Sequence, residues 1–356
     1  MNPIRVAIRS VDDRLFNDAF RRAWVHGREL KNGGASNRLA MSMEALRRER
    51  TVAPQSLLER TEPGRFVGGI TGRSGTTWLT RLMRFLLDER YDVIGEQGLF
   101  VLSMVRAAPY EYYQFGGSEA GRRQYLNYFY TMIARWAYKR RRIYGGGLRG
   151  PIRYIPRRAI DISWRLLVEE LQELHDFGDI EVAFGRFYTR LLDYRAAVIF
   201  GRPTSWVSKE PPYGRHADEL LRMVPEGRLV VLGRDGRQIA LSMYKRGWRP
   251  TIRGCMERWA AFTESTLDAM GRAPAEKVML VRYDRLVENF EEVLPEVFRF
   301  LELPSPDMDS LLRAGHGELI PQSDSLDRWK KEISATDLDW FNESYGDLME
   351  RLGYRK

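Results

Sequence analysis

An α/β fold, with one central parallel sheet covered by helices on both faces, is predicted by three observations. Strand-like apolar runs alternate with amphipathic helical segments between Arg65 and Leu301, the pattern of a parallel sheet buried on both sides. A glycine-rich turn follows the first convincing strand, at the carboxyl end where open α/β sheets hold their ligands. The chain has 356 residues and is 44% hydrophobic, enough to bury one large core with insertions.

The elements follow in order. Residues 1 to 64 read as an N-terminal helical extension, charged and interrupted by a Gly/Asn/Ser-bearing turn at Lys31 to Asn37. Arg65 to Ile70 is the first strand. Thr76 to Glu89 is a helix with Trp78, Leu79, Leu82, Met83 and Leu86 on one face, and Tyr91 to Gly95 is a short strand. A large helical insert occupies about 101 to 202. Beyond it come strand Trp206 to Lys209, helix Arg215 to Val224, strand Arg228 to Gly233, and helices Gln238 to Arg246 and Met256 to Met270. Strand Lys277 to Tyr283 and helix Leu286 to Leu301 complete the pattern. Residues 65 to 356 are thus expected to form a single domain carrying the insert.

Residues 68 to 84, GGITGRSGTTWLTRLMR, build an anion site. The N–H groups of a helix's first turn lack intrahelical partners, and the helix dipole adds about half a positive charge at the same point. Gly72 and Gly75 let the chain approach an anion closely, Thr76 and Thr77 add hydroxyl donors, and Arg73 adds a planar permanent cation. The loop is not a nucleoside-triphosphate loop of GxxxxGK[ST] type: Gly75 is followed by Thr76 rather than Lys, and Ile70 stands five residues before it. Gly145, Gly147 and Gly150 satisfy GxGxxG, but they follow the basic run Lys139 to Arg142 and precede Pro151. Without a strand before and a helix after, they do not support a dinucleotide fold.

RSGTTW is similar to the 5′-phosphosulfate loop of sulfotransferases that use 3′-phosphoadenosine 5′-phosphosulfate (PAPS). The segment 227 to 248, GRLVVLGRDGRQIALSMYKRGW, resembles that family's second signature, a strand delivering an Arg and then a helix carrying a Ser eight residues later. Arg234 and Ser242 have this spacing. With the strand ending near Arg234 and the helix starting near Gly236, Ser242 lies about two turns in, so both groups can converge on one phosphate. The resemblance implies a P-loop-like α/β fold, PAPS as donor, PAP as product and no required metal. It also implies a donor site of Arg73, Ser74, Gly75, Thr76, Thr77, Trp78, Arg234 and Ser242.

Sulfuryl transfer needs a base for the acceptor's proton and cations for the oxygens that gain charge, and positioning supplies much of the effect. The resemblance assigns Arg73 as the first cation, stabilising charge without donating its proton. Lys209 in WVSKEPPYG resembles the family's second lysine. Glu96 in VIGEQGLF is the first choice for base, since related carbohydrate and tyrosine branches place a Glu there. The steroid and phenol branch uses a His two residues after its second lysine, and Pro211 stands at that position. Glu210 is the alternative base, although an extended 206 to 210 turns its side chain away from Lys209's face. At the adenine end, Trp78 and Tyr283 match family aromatics, or else are ordinary core residues. SDSLDRWKKEIS, 323 to 334, resembles the segment that closes over the donor, with Arg328 and Lys330 directed to the 3′-phosphate.

One cysteine, Cys255, excludes an intrachain disulfide framework and is expected of a reducing compartment. Four well-separated histidines give no metal-ligand spacing. Neither a signal-peptide h-region nor a transmembrane stretch is legible, so a cytoplasmic protein is expected. The net charge is +9, and Gly121 to Ile160 alone holds eleven Lys or Arg, no Asp or Glu, and eight aromatics. This stretch either binds an acidic polymer, an anionic membrane surface or the donor, or is a solvated basic helix with its aromatics in the core. No recognised nucleic-acid module accompanies it. The resemblance therefore predicts sulfuryl transfer to a hydroxyl of a carbohydrate, lipid-linked or other small acceptor. The rivals are an ATP-dependent small-molecule kinase and a noncatalytic anion- or polymer-binding protein.

Overall fold

The structure, a computed structural model, describes residues 63–87, 91–95, 204–313 and 326–354, together with Gly185, Tyr188, Thr189, Leu192 and Asp193. The predicted N-terminal extension, nearly all of the basic insert, and Glu96 lie outside the described residues.

Strands β1 (Arg65–Gly69), β2 (Tyr91–Gly95), β3 (Ser205–Lys209), β4 (Arg228–Gly233) and β5 (Val278–Arg282) form one sheet in the order β2-β3-β1-β4-β5. Every pairing is parallel. The chain leaves β1 and crosses over β3 to reach β2, and after β3 it passes over β1 to reach β4. The carboxyl end of central β1 is therefore a switch point, where the connections diverge and leave a crevice.

Alternation along the strands divides the core in two. Phe66, Trp206, Leu229 and Val231 face one cluster, while Val67, Val207, Val230 and Leu232 face the other. Both faces are apolar, so β4, RLVVLG, and β5, VMLVR, read as nearly continuous hydrophobic runs instead of alternating ones. Burial of each such side chain contributes about 1.5–3 kcal/mol. The second cluster is covered by α1 (Thr76–Leu86) and by a helix at Phe290–Phe300, the first by helices at Gly236–Lys245, Ile252–Arg272 and Ala335–Arg351. Arg65, at the start of β1, donates to the carbonyls of Leu301 at 2.8 Å and Glu302 at 3.2 Å. These bonds tie the amino end of β1 to the carboxyl end of the Phe290–Phe300 helix, where unpaired carbonyls accept a cation well.

Several predicted boundaries shift for local reasons. The helix expected over Arg215 to Val224 opens as a 3-10 turn at Pro211–His216 and becomes α2 only at Ala217–Met223, since two prolines fix φ but supply no N–H. Next come α3 (Gly236–Lys245) and α4 (Ile252–Arg272), the latter starting earlier than predicted because the Thr251 hydroxyl accepts from the Gly254 N–H at 3.1 Å. The helix predicted over Leu286 to Leu301 is divided into α5 (Tyr283–Glu288) and α6 (Phe290–Phe300). Asn289 separates them in a non-helical conformation, its carbonyl accepting from the Glu292 and Val293 N–H groups. The chain closes with α7 (Met308–Arg313), α8 (Arg328–Glu332) and α9 (Ala335–Arg351). Among the described residues no helix is long and apolar enough to cross a membrane.

Candidate functional site

The turn after β1 is held from within. Ser74 Oγ donates to the Thr71 carbonyl at 2.8 Å and accepts from the Thr71 N–H at 3.3 Å. Ser74 is fully buried, and its hydroxyl is engaged in holding the loop. Arg73 (φ 79°) and Gly75 (φ 99°) on either side of it are both left-handed. A left-handed residue costs a non-glycine about 1–2 kcal/mol, and such reversals turn successive N–H groups toward a common point, forming a nest for an anion. Gly75 is the N-cap of α1 and supplies no side-chain cap. The first N–H groups of the helix, beginning at buried Thr76 and exposed Thr77, thus lack partners within it.

The glycines have a further reason beyond close approach of an anion. A Cβ on Gly75 would lie 2.5 Å from the Tyr283 ring, and one on Gly72 would lie 2.7 Å from the Trp248 ring. Trp248 is placed there by the end of α3. Gly247 is left-handed, its N–H bonds to the Tyr244 carbonyl, and the Trp248 N–H bonds to the Met243 carbonyl, which is the Schellman arrangement. The sequence offered Gly247 as its signal, but the ring's contact with a loop 176 positions away in the chain is tertiary.

The second signature meets the loop directly. Arg73 Nε donates to Ser242 Oγ at 2.9 Å, and Arg234 Nη1 donates to the Arg73 carbonyl at 3.2 Å. Three residues expected at opposite ends of one donor thus meet across β1 and β4. Arg234 Nε donates to Gln238 Oε1 at 2.8 Å, and its guanidinium lies 4.5 Å from the centre of the Tyr283 ring. Tyr283 in turn meets Trp78 edge-on at 5.8 Å. Both aromatics are half-buried, and Trp78 also packs against the core cluster under α1 through Phe290.

Burial lowers the pKa of both guanidiniums. For Arg73 the positive charge of Arg246 adds to that effect, while Arg234 is lowered further by Arg73 and partly restored by the tyrosines at 283 and 354. The two cations share one corner, Arg73 exposed and Arg234 partly buried; they repel each other, and an anion between them would offset that repulsion.

Lys209 ends β3 and is buried, in register with Val67 of β1 and Gly95 of β2. By alternation it shares the face of Val207, which is the face α1 covers. Glu210 is also buried, and its N–H bonds to the Val67 carbonyl at 3.0 Å. Its charge is felt by Tyr213, whose hydroxyl is pushed up first by burial, then by Tyr188 and Glu210. Tyr213 OH and Ser208 Oγ are 2.8 Å apart, and Tyr188 OH bonds to both.

The carboxyl segment is docked on α3. Asp235 accepts from the Arg237 N–H at 2.8 Å as helix cap and binds the Arg237 guanidinium at 2.8 Å. The same guanidinium lies 3.9 Å from the centre of the Trp329 ring. Trp329 therefore packs on Arg237, while Lys330 is paired with Asp327 at 2.9 Å and Arg328 is exposed. Trp329 is expected from the sequence beneath Arg328 and Lys330, and Lys330 Nζ does lie 5.7 Å from the centre of its ring. Arg237 and Gln238 were not singled out from the sequence, where only Asp235 before an amphipathic run marks a cap.

A parallel sheet whose central strand ends in a glycine-rich loop, where two arginines meet, defines an α/β protein with a cationic corner at its strand ends. The chain belongs to the sulfotransferase family, whose pattern it matches over residues 66–307. It is 27% identical over 144 residues to protein-tyrosine sulfotransferase 1 of Danio rerio, a match spanning 38% of this chain and 39% of that protein. Among solved structures it is similar to sulfotransferase STF9 of Mycobacterium avium, with 15% identity and a TM-score of 0.44 over 83% of this chain and 78% of the other. It is also similar to mouse sulfotransferase SULT7A1 complexed with PAP, with 12% identity and a TM-score of 0.41 over 84% and 90%.

Proposed function

We propose that the protein transfers the sulfuryl group of PAPS to a hydroxyl acceptor. The observation that carries this reading is the junction of Arg73, Ser242 and Arg234 on the loop after β1, within a chain of the sulfotransferase family. The site fits such a donor in kind: a nest of N–H groups with a helix start suits the 5′ end, and Arg234 with Ser242 suits the 3′-phosphate.

The donor, when bound, supplies an activated sulfuryl group. The chain's residues then hold and orient it. Arg73 stabilises the charge that develops on the sulfuryl and bridging oxygens, and Lys209 provides a second cation from the end of β3. Trp78 and Tyr283 flank the adenine. Arg328 and Lys330 approach from the carboxyl segment. Glu96 removes the acceptor's proton as sulfuryl moves in line. Glu210 is a weaker alternative, since its charge acts on Tyr213 on the opposite face from Lys209.

The acceptor in this reading is a hydroxyl of a carbohydrate or lipid-linked metabolite, with residues 121–160 able to meet an anionic membrane surface. A tyrosine hydroxyl is the second reading, favoured by the name of the Danio rerio relative. Calorimetric titration with PAP, AMP and ATP, with and without Mg²⁺, tests the donor. Tight, metal-independent binding of PAP is expected. Preference for ATP with Mg²⁺ would replace the reading with a kinase, and no nucleotide binding at all would leave an anion- or polymer-binding protein.

A further inference from the structure

Arg234 reaches the anion loop through a single hydrogen bond, from Nη1 to the Arg73 carbonyl. Beside the Tyr283 ring, whose centre is 4.5 Å away, its guanidinium is held in plane by Gln238, whose Oε1 accepts from Nε at 2.8 Å. Among the described residues the remaining nitrogen, Nη2, donates to none. Gln238 is buried, and its amide has one further use: Nε2 donates to the carbonyl of Leu326. Leu326 belongs to the carboxyl segment that holds Trp329 against Arg237, one residue away from Gln238 on the same helix. One side chain thus joins the arginine of the site to the segment lying beside it.

An amide is suited to this double role. Its oxygen accepts from a guanidinium while its NH₂ donates to a carbonyl, which neither a carboxylate nor a thioether can do together. The bond to Leu326 is buried and that from Arg234 part-buried, so losing either leaves a polar group of buried Gln238 without its partner.

We infer that Gln238 is a positioning residue for the 3′-phosphate. It holds Arg234 in a phosphate-ready plane and makes closure of segment 326–334 conditional on that plane. Resting on the donor reading above, which directs Arg328 and Lys330 of that segment to the 3′-phosphate, this adds a second route by which the segment senses that phosphate, through Arg234 and Gln238.

Affinities of PAP and AMP, which differ by the 3′-phosphate, are measured for the wild type and Gln238→Met, with thermal melting to establish folding. Loss of the clasp is expected to weaken PAP roughly tenfold, the loss of one charged hydrogen bond, and to leave AMP within about twofold. A merely structural role would weaken both ligands alike. Amide exchange of 326–334 is measured in both proteins: PAP but not AMP is expected to slow it in the wild type, and that protection is expected to be lost in Gln238→Met, whereas direct contacts of Arg328 and Lys330 alone would preserve it. Equal protection by the two ligands, or none by PAP, would overturn the inference, as would an unchanged PAP-to-AMP ratio in a folded Gln238→Met. A wild type that fails to prefer PAP over AMP would instead overturn the donor reading itself.

Discussion

Arg73 Nε and Ser242 Oγ lie 2.9 Å apart although 169 positions separate them. The bond joins the loop after β1 to the second turn of α3, making one site from two sequence signatures. Arg73 also takes a left-handed backbone, so its conformation and its partner are specified together.

Arg73→Gly separates these two features. Glycine relieves about 1–2 kcal/mol of left-handed strain but loses about 0.5–1 kcal/mol to the flexibility of the unfolded chain. The melting temperature is expected to hold or rise slightly while turnover of PAPS is lost. Turnover near wild type would remove Arg73 from catalysis.

Arg234→Ala is expected to weaken PAP by about 1.5–3 kcal/mol, the range for a hydrogen bond to a charged group. The effect reads out as Kd by calorimetry. Unaltered affinity would exclude Arg234 from the donor site.

Glu96→Gln keeps shape and removes basicity, so turnover is expected to fall by about 10² to 10⁴-fold with donor affinity nearly unchanged. Glu210→Gln, measured beside it, is expected to act less on turnover. The reverse order would transfer the role of base to Glu210.

Gly75→Ala places a methyl 2.5 Å from the Tyr283 ring at a residue with φ 99°. A loss on the order of 1–3 kcal/mol is expected in denaturant titration. Pairing it with Tyr283→Ala should recover the steric part and leave the backbone part, which a double-mutant cycle resolves.

Acid stability depends partly on Asp337 in the first turn of α9. Its carboxylate is held below its usual range first by the hydrogen bond from Arg253 and then by that from Ser334. A depressed folded-state pKa stabilises above the unfolded value of about 3.9, and that contribution is lost as pH falls through the folded value. Asp337→Asn is therefore expected to lower stability at neutral pH, modestly because the group is little buried. The gap from wild type should close below about pH 4. A gap constant with pH would show that the ionised carboxylate is not its source.

The sequence by itself determined the strands, the loop and the order of the signatures. Tyr91–Gly95 and Arg228–Gly233 are legible end to end, because strands buried on both faces leave apolar runs that need no partner to be recognised. The turn from Thr71 to Gly75 is equally local, since its glycines and hydroxyls act on their own backbone. Tertiary structure decided the rest. Gly75 makes room for Tyr283, Gly72 for Trp248, and Trp329 packs on Arg237. Gln238, one polar residue in an amphipathic run, gains its meaning only when Arg234 and Leu326 stand on either side of it. A hydrogen bond between residues far apart in the chain leaves no periodicity in the sequence, because its geometry is set by how strands and helices pack and not by the order of the residues that make it.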